Sequence, residues 1–343
     1  MTFAVTDNTA RNGRHTSYYR ACGAEDAPLI IFVHGWPELS LSWRHQLPTF
    51  AALGFRAIAP DMRGYGQSSV YGRHEDYALE QTVEDMLELL AALGGEKAVW
   101  VGHDWGSPVV WSMASHHPDK CAGIVNLCVP YFAKGFALKN FVPLVDRKIY
   151  PEDKYPAGQW EYMCFYEENF AKARASFEAD IPNLVKLLFR KSDPSGRGQP
   201  AITAPVRNDG GWFGNTGTVP NLPIDADVLT NEDYHTYVAA LERNGFFGPD
   251  SWYMNHERNS QFASKAVNGG RLQMPVLFLH GLYDYVCETV DSRLAEPMRH
   301  DCAKLTEVIV KSGHWMAQEK PVAVNAAIAR WLATELPELW KRE

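Results

Sequence analysis

The chain has 343 residues, of which 46% are hydrophobic, so it is long enough to bury one large core or two ordinary ones. Its formal net charge of −8 and isoelectric point near 5.9 come without any basic patch, which argues against a nucleic-acid partner. No apolar run approaches the roughly 18 residues that a membrane span needs, and residues 1–17 lack the apolar core of a signal peptide. These features predict a cytoplasmic protein with no nucleic-acid or membrane partner.

The six cysteines are scattered along the chain and form no Cys-x-x-Cys pair and no zinc-ligand spacing. Several of them, such as Cys128 and Cys164, lie in apolar surroundings, which favours buried free thiols in a reducing cytosol. The sequence therefore predicts no metal site.

Short apolar runs alternate with helical patterns over the first 130 residues. Buried strands are predicted at 29–33, 55–59, 98–101 and 121–129. Residues 79–93 carry an apolar stripe with helical spacing, which ends at two glycines and predicts a helix. This alternation predicts a parallel sheet with helices on both faces, whose catalytic groups gather at the carboxyl ends of the strands.

The alternation stops near residue 130. Residues 133–268 are rich in aromatic side chains and helical patterns, and their Gly- and Pro-dense stretch 192–223 is typical of a lid or functional loop. Strand patterns resume at 275–281 and 305–310, and a last helix begins near Pro321. We therefore predict an α/β core made of residues 1–132 and 269–343, interrupted by a helical cap at 133–268.

The segment Gly102–Gly106, with the sequence GHDWG, lies between a predicted strand and a predicted helix. Its frame is that of the nucleophile elbow, G-x-S-x-G, but Asp104 replaces the serine. A carboxylate is a poor nucleophile toward amides and esters, because attack gives a reactive anhydride, whereas attack on saturated carbon gives a stable alkyl ester. Asp104 therefore indicates displacement at carbon, followed by hydrolysis of an enzyme ester.

Two further residues follow predicted strands in the chain order of α/β-hydrolases. Asp284 follows the strand at 275–281 and His314 follows the strand at 305–310, which gives the order nucleophile, acid, histidine. Either residue alone is more often a turn residue or a satisfied polar group, but together they indicate a catalytic set.

The loop His34–Pro37 follows the strand at 29–33. It can present the backbone N–H of Trp36 to the reacting centre, with the N–H of Trp105 as the second oxyanion donor, and Pro37 can hold a cis bond. The side chains of His34, His103 and His280 are interpreted as structural, and His103 is expected to fill space beside the elbow.

The chain resembles soluble epoxide hydrolases of the α/β-hydrolase fold superfamily over nearly its whole length. It matches H-G-x-P as His34–Pro37, G-x-G-x-S as Gly64–Ser68 and the elbow as Gly102–Gly106, and it matches the acid and base as Asp284 and His314. The resemblance implies that the protein converts a small-molecule epoxide and water to a vicinal diol through an aspartyl ester, without a cofactor. It also allows a homodimer.

The family also carries two cap tyrosines that hold the epoxide oxygen. Tyr253, within Trp252–Asn255, matches the more distinctive context, and Tyr162 matches the other, with Tyr166 as a competitor four residues later. A phenol with a pKa of about 10 stays protonated at neutral pH and can donate a proton as the ring opens. With 15 tyrosines in the chain, packing would be the default interpretation without these contexts.

Substrate contacts are predicted for Trp36, Pro37 and Trp105. The cap also contains an aromatic set that suggests an apolar or aromatic epoxide: Trp212, Phe213, Phe246 and Phe247.

Three alternatives stay open. A haloalkane dehalogenase would use the same Asp104, but its loop in many cases reads H-G-N-P, and Trp36 replaces that asparagine here. An acyl hydrolase is disfavoured because neither Ser nor Cys occupies the centre of the elbow. A non-catalytic ligand-binding protein on this fold is disfavoured by the complete set Asp104, Asp284 and His314.

Overall fold

The computed structural model describes residues 4–214 and 217–340. Eight strands occur in chain order: β1 (Thr6–Arg11), β2 (Thr16–Cys22), β3 (Leu29–Val33), β4 (Arg56–Pro60), β5 (Ala98–His103), β6 (Cys121–Leu127), β7 (Leu272–Gly281) and β8 (Cys302–Val310). They form one sheet with the order β1-β2-β4-β3-β5-β6-β7-β8. The pairs β1–β2 and β2–β4 are antiparallel, and the other pairs are parallel.

The central strands β3 and β5 are buried at every position. Their sequences, LIIFV and AVWVGH, are continuous apolar runs, as expected of parallel strands that are covered on both faces. The six parallel strands predicted from the sequence are all present, with limits that differ by a few residues, and β3 has the predicted limits.

The antiparallel strands β1 and β2 have no counterpart among the predicted elements. Strand β1 has the sequence TDNTAR, lies at the edge of the sheet and is exposed or half-buried throughout. Such a polar edge strand is held by backbone pairing, so it lacks the apolar pattern from which buried strands are recognised.

The helices are α1 (Gln46–Ala52), α2 (Leu79–Ala92), α3 (Gly106–His116), α4 (Leu138–Phe141), α5 (Glu161–Glu178), α6 (Ile181–Leu188), α7 (Asn231–Asn244), α8 (Phe247–Ser251), α9 (His256–Ala263), α10 (Glu296–Asp301), α11 (Met316–Glu319) and α12 (Pro321–Glu335). Helix α1 contacts α12, and α2 contacts α3. None of the helices in the described part of the chain is long and apolar enough to cross a membrane.

Helices α4 to α9 all lie between β6 and β7, in the stretch predicted to be a helical insertion. The described residues of 133–268 contain no strand, and those of 192–223 contain neither strand nor α-helix. The α/β fold with inserted helices is therefore confirmed, while the exact limits at 133 and 268 stay predictions.

Four loops leave the carboxyl ends of parallel strands, which all terminate on the same side of the sheet. They follow β3, β5, β7 and β8, and they carry His34–Pro37, Asp104, Asp284 and His314, respectively. The topology thus brings together segments that are up to 280 residues apart in the chain, which is the usual place for a site in such a sheet.

Candidate active site

Asp104 lies on the sharp turn between β5 and α3. Its backbone φ of 49° is in the left-handed region, which residues with a side chain adopt rarely. Gly106, the first residue of α3, runs against β3 so closely that an added Cβ would lie 2.1 Å from the backbone oxygen of Val33. The turn therefore requires glycine there, and it presents the Asp104 carboxylate at the edge of the sheet.

The two carboxylate oxygens of Asp104 have different surroundings. Oδ1 accepts a 2.6 Å hydrogen bond from the backbone N–H of Trp36, and Oδ2 lies 3.5 Å from Nε2 of His314. Gly35 packs against this turn so closely that an added Cβ would lie 2.4 Å from Oδ1 of Asp104 and 2.6 Å from the backbone nitrogen of Trp105. One oxygen therefore accepts a backbone amide and the other faces an imidazole.

The imidazole of His314 is oriented by a buried acid. Its Nδ1 lies 2.8 Å from Oδ2 of Asp284, whose Oδ1 accepts the backbone N–H of Cys287 at 3.0 Å. Burial opposes the charge of Asp284, but the adjacent His314 outweighs it and lowers the pKa of that carboxyl to about 2. Burial likewise opposes the imidazolium, but Asp284 and then Asp104 raise the pKa of His314 well above its usual value. In the resting protein the histidine is therefore a cation between two carboxylates.

A second buried His–acid pair, His103 with Glu38, lies next to the first, and Glu38 was not among the residues predicted from the sequence. Nδ1 of His103 lies 2.7 Å from Oε2 of Glu38, and Nε2 lies 2.8 Å from the backbone oxygen of His314. Because both ring nitrogens face oxygen acceptors, both carry hydrogen, and His103 is an imidazolium. The same Oε2 accepts the backbone N–H of Gly35 at 2.9 Å. His103 is therefore not mere filler: with Glu38 it links the loops that carry Trp36, Asp104 and His314.

The other two histidines predicted to be structural, His34 and His280, also have hydrogen-bond partners inside the fold. Nε2 of His34 accepts the backbone N–H of Met62 at 2.9 Å, so Nδ1 donates to the oxygen of Gly35. Nδ1 of His280 contacts Thr289 at 2.8 Å. The bond between Trp36 and Pro37 is cis, as the sequence analysis allowed.

A cavity of about 490 Å³ lies over the carboxylate of Asp104. Asp104, His314, Trp36, Tyr162 and Tyr253 all line it. The rings of the two tyrosines are 5.6 Å apart between centroids. Burial raises the pKa of both phenols well above the usual value, so both are protonated donors at neutral pH.

Tyr166 occupies a different position from Tyr162. It is fully buried and absent from the lining of this cavity, and its hydroxyl accepts a 2.9 Å hydrogen bond from Nε1 of Trp212. Of the two candidates for the first cap tyrosine, Tyr162 is the one beside Asp104 in the same cavity.

Not every predicted substrate contact lies in this cavity. Trp36 and Trp212 line it, whereas Pro37, Trp105 and the other three cap aromatics are absent from its lining. The indole of Trp105 instead packs edge-on against Phe136, with ring centroids 5.0 Å apart. The predicted substrate contact of Trp105 therefore reduces to its backbone N–H, because its side chain is buried. Pro37 has no backbone N–H to offer, and its prediction as a substrate contact stays a prediction.

Two groups of potential metal ligands share His314. One contains His103 and Cys128, the other Asp284 and Cys287, and within each group the ligand atoms lie within 4.8 Å of one another. Three of these side chains already bond to His314: Sγ of Cys128 donates to its backbone oxygen at 3.4 Å, Nε2 of His103 donates to the same oxygen, and Asp284 pairs with its Nδ1. A cation would have to replace those bonds, so the arrangement serves hydrogen bonding as it stands.

Comparison with known proteins agrees with this geometry. Residues 28–321 match the family model of the alpha/beta hydrolase fold. The chain is 32% identical over 319 residues to epoxide hydrolase A of Mycobacterium tuberculosis, covering 90% of this chain and 92% of that protein. It is 33% identical over 309 residues to bifunctional epoxide hydrolase 2 of Sus scrofa, covering 90% of this chain and 52% of that protein. The chain thus spans about half the length of the mammalian relatives it matches.

The solved structure of epoxide hydrolase A from Mycobacterium thermoresistibile superposes on 96% of this chain and 99% of its own, with a TM-score of 0.79 and 30% identity. The chain therefore belongs to the α/β-hydrolase fold family and, within it, to the epoxide hydrolases.

Proposed function

We propose that the protein hydrolyses an epoxide to a vicinal diol through an ester on Asp104. The observation that carries the proposal is that the two oxygens of the Asp104 carboxylate have different partners. Oδ1 accepts the N–H of Trp36 at 2.6 Å, while Oδ2 lies 3.5 Å from Nε2 of His314, and the two phenols line the same cavity as Asp104. This geometry suits an oxygen that attacks carbon beside one that remains a carbonyl.

In the first step, Oδ2 of Asp104 forms a bond to a ring carbon as the carbon–oxygen bond of the epoxide breaks. The released oxygen takes a proton from the phenols of Tyr162 and Tyr253, whose burial keeps them protonated. The product is a hydroxyalkyl ester, and the negative charge of Asp104 is gone.

Loss of that charge prepares the second step. The carboxylate of Asp104, 3.5 Å from Nε2, is one of the groups that raise the pKa of His314, so esterification lowers that pKa and the imidazole loses its proton. A proton returned to the phenols balances this loss. The neutral imidazole, oriented by Asp284, can then act as a general base.

In the second step, His314 takes a proton from water and the hydroxide adds to Cγ of Asp104. Negative charge develops on Oδ1, where the backbone N–H of Trp36, joined by that of Trp105, stabilises it. Collapse breaks the bond between Cγ and Oδ2, and the proton left on the carboxyl group passes to the departing alkoxide. The diol leaves, and Asp104 keeps one oxygen of the water.

The test is a panel of epoxides, including styrene oxide and cyclohexene oxide, assayed for diol with the protein and its Asp104→Ala variant. We expect diol with the protein and at least a ~10⁴-fold lower rate with the variant, as for other nucleophiles of this kind. Halide release from haloalkanes without diol would identify a dehalogenase instead. Binding of epoxides without turnover would identify a receptor.

The indoles of Trp36 and Trp212 and the side chains of Leu187 and Leu188 line the cavity, which supports an apolar or aromatic epoxide as substrate. The cytoplasmic location and the homodimer stay predictions, and size-exclusion chromatography with light scattering tests the second.

A further inference from the structure

Trp36 belongs to the loop after β3, but its indole lies among side chains of the inserted helical region. The ring is 7% exposed, and its aromatic neighbours Phe177, Trp212, Phe246 and Tyr253 lie at centroid distances of 5.5 to 6.4 Å. All four come from residues 133–268. The residue whose amide holds Asp104 is therefore fixed at its other end by the cap.

Asp250 is the hydrogen-bond acceptor of that indole. Its Oδ1 accepts the Nε1–H of Trp36 at 3.0 Å, and the residue is completely buried on α8. The other oxygen, Oδ2, has no hydrogen-bond partner within the described residues. A buried acid with an unsatisfied oxygen is costly, which argues that the position serves the site rather than the stability of the fold.

Asp250 also stands three residues before Tyr253 in one short segment. Helix α8 ends at Ser251 and a 3-10 turn, Trp252–Met254, follows directly. The segment therefore serves two parts of the site. Asp250 fixes the indole of Trp36, and Tyr253 supplies a phenol to the cavity that Asp104 lines.

We propose that Asp250 is a positioning residue that sets the oxyanion donor: through the indole of Trp36 it holds the Trp36 amide on Oδ1 of Asp104. Burial raises the pKa of Asp250 well above its usual value, so the acceptor is a neutral acid. A neutral acceptor fixes the indole without adding negative charge near a site where negative charge must develop twice. The inference rests on the proposed ester mechanism.

The location of the amide predicts which step depends on Asp250. The N–H of Trp36 contacts the oxygen that becomes an oxyanion during ester hydrolysis, whereas the attack on the epoxide uses Oδ2. Displacing the donor should therefore slow hydrolysis more than alkylation. Removal of an oxyanion donor costs about 10²–10³ in rate, and a displaced donor should cost on the order of tenfold.

The experiment measures the two rate constants in single turnovers on one epoxide, with rapid quenching and mass analysis of the Asp104 peptide. Asp250→Leu removes the acceptor at similar size, Trp36→Phe removes the N–H but keeps the amide and ring, and Asp250→Asn keeps an oxygen acceptor. Ser251→Ala is the matched control, since Ser251 is equally buried on α8 but bonds to His74 and to the backbone of Phe247.

We expect Asp250→Leu and Trp36→Phe each to lower the ratio of hydrolysis to alkylation about tenfold, so that ester accumulates, and Asp250→Asn to restore the ratio. The inference is overturned if Asp250→Leu slows both steps equally, or if Asp250→Asn lowers the ratio of hydrolysis to alkylation as much as Asp250→Leu does. Either result would mean that Asp250 has a purely structural role. If Asp250→Leu does not fold, Trp36→Phe decides alone. Failure of the proposed function looks different, because the unmodified protein would then form no ester at all.

Discussion

Nε2 of His103 lies 2.8 Å from the backbone oxygen of His314, so a buried imidazolium holds the loop that carries the proposed base. Glu38 keeps His103 charged: burial opposes the charge, but the carboxylate outweighs it and raises the pKa of His103 well above its usual value. Hydrogen bonds therefore join His103, the loop His34–Pro37 and the backbone of His314 into one unit, and Glu38 is its central acid.

Glu38→Gln should destabilise the protein strongly. The variant leaves His103 in a fully buried place without its counter-charge, and breaking a buried ion pair in this way costs on the order of 3 kcal/mol in the free energy of unfolding. Urea unfolding at neutral pH measures the loss. The control is Glu257→Gln, which removes one partner of an exposed pair with Lys139, 3.1 Å apart. Equal stability of the two variants would contradict the role given to Glu38.

The stability of the protein should fall steeply in acid. Burial would raise the pKa of Glu38, but His103 outweighs it and lowers that pKa from 4.5 to about 2, and Asp284 is lowered from 3.8 to about 2. A group whose folded pKa is depressed stabilises the fold above its unfolded pKa, and the contribution is lost as pH falls toward the folded value. The free energy of unfolding should therefore decline between about pH 4.5 and 2.

The variant Glu38→Gln provides the comparison for that pH dependence, since glutamine does not titrate. Its unfolding free energy should be lower at neutral pH and should lack the part of the decline between about pH 4.5 and 2 that comes from Glu38. Because burial then lowers the pKa of the unpaired His103, the variant should instead begin to lose stability at a higher pH, below about 6.5. Parallel curves for the two proteins would mean that Glu38 titrates normally in the folded state.

Replacement of His314 by glutamine should separate the two chemical steps. Alkylation needs Asp104 and the phenols, whereas hydrolysis needs the base, so diol formation should fall by ~10³-fold or more while ester persists. Intact-mass analysis should show the protein heavier by one epoxide, with the added mass on the peptide that contains Asp104. An unmodified mass in the presence of epoxide would argue against the covalent step.

The cap phenols should affect the opposite step. Tyr162→Phe and Tyr253→Phe each remove a proton donor and should lower the alkylation rate about 10²-fold, measured in single turnovers. Tyr166→Phe is the control, because that hydroxyl bonds to Trp212 and does not line the cavity. If Tyr166→Phe slowed alkylation about 10²-fold while Tyr162→Phe did not, the assignment of the two tyrosines would have to be reversed.

The sequence predicted the features that leave a local pattern. Strand β3 is five consecutive apolar residues, and the turn at Asp104 carries the glycines that its geometry demands. It did not predict β1, which is polar and exposed. Nor did it predict Glu38 and Asp250, because an acid beside a proline resembles a surface residue, and only the folded chain shows that each is buried against a ring nitrogen from a distant segment.

The proposed mechanism depends on the transient esterification of Asp104. One turnover in water labelled with heavy oxygen, with enzyme in excess over the epoxide, tests this step most directly. We expect the label in the carboxylate of Asp104 and none in the first diol, whose new oxygen comes from Oδ2. Label in that first diol, with an unlabelled Asp104, would mean that water attacks the epoxide directly and would contradict the account.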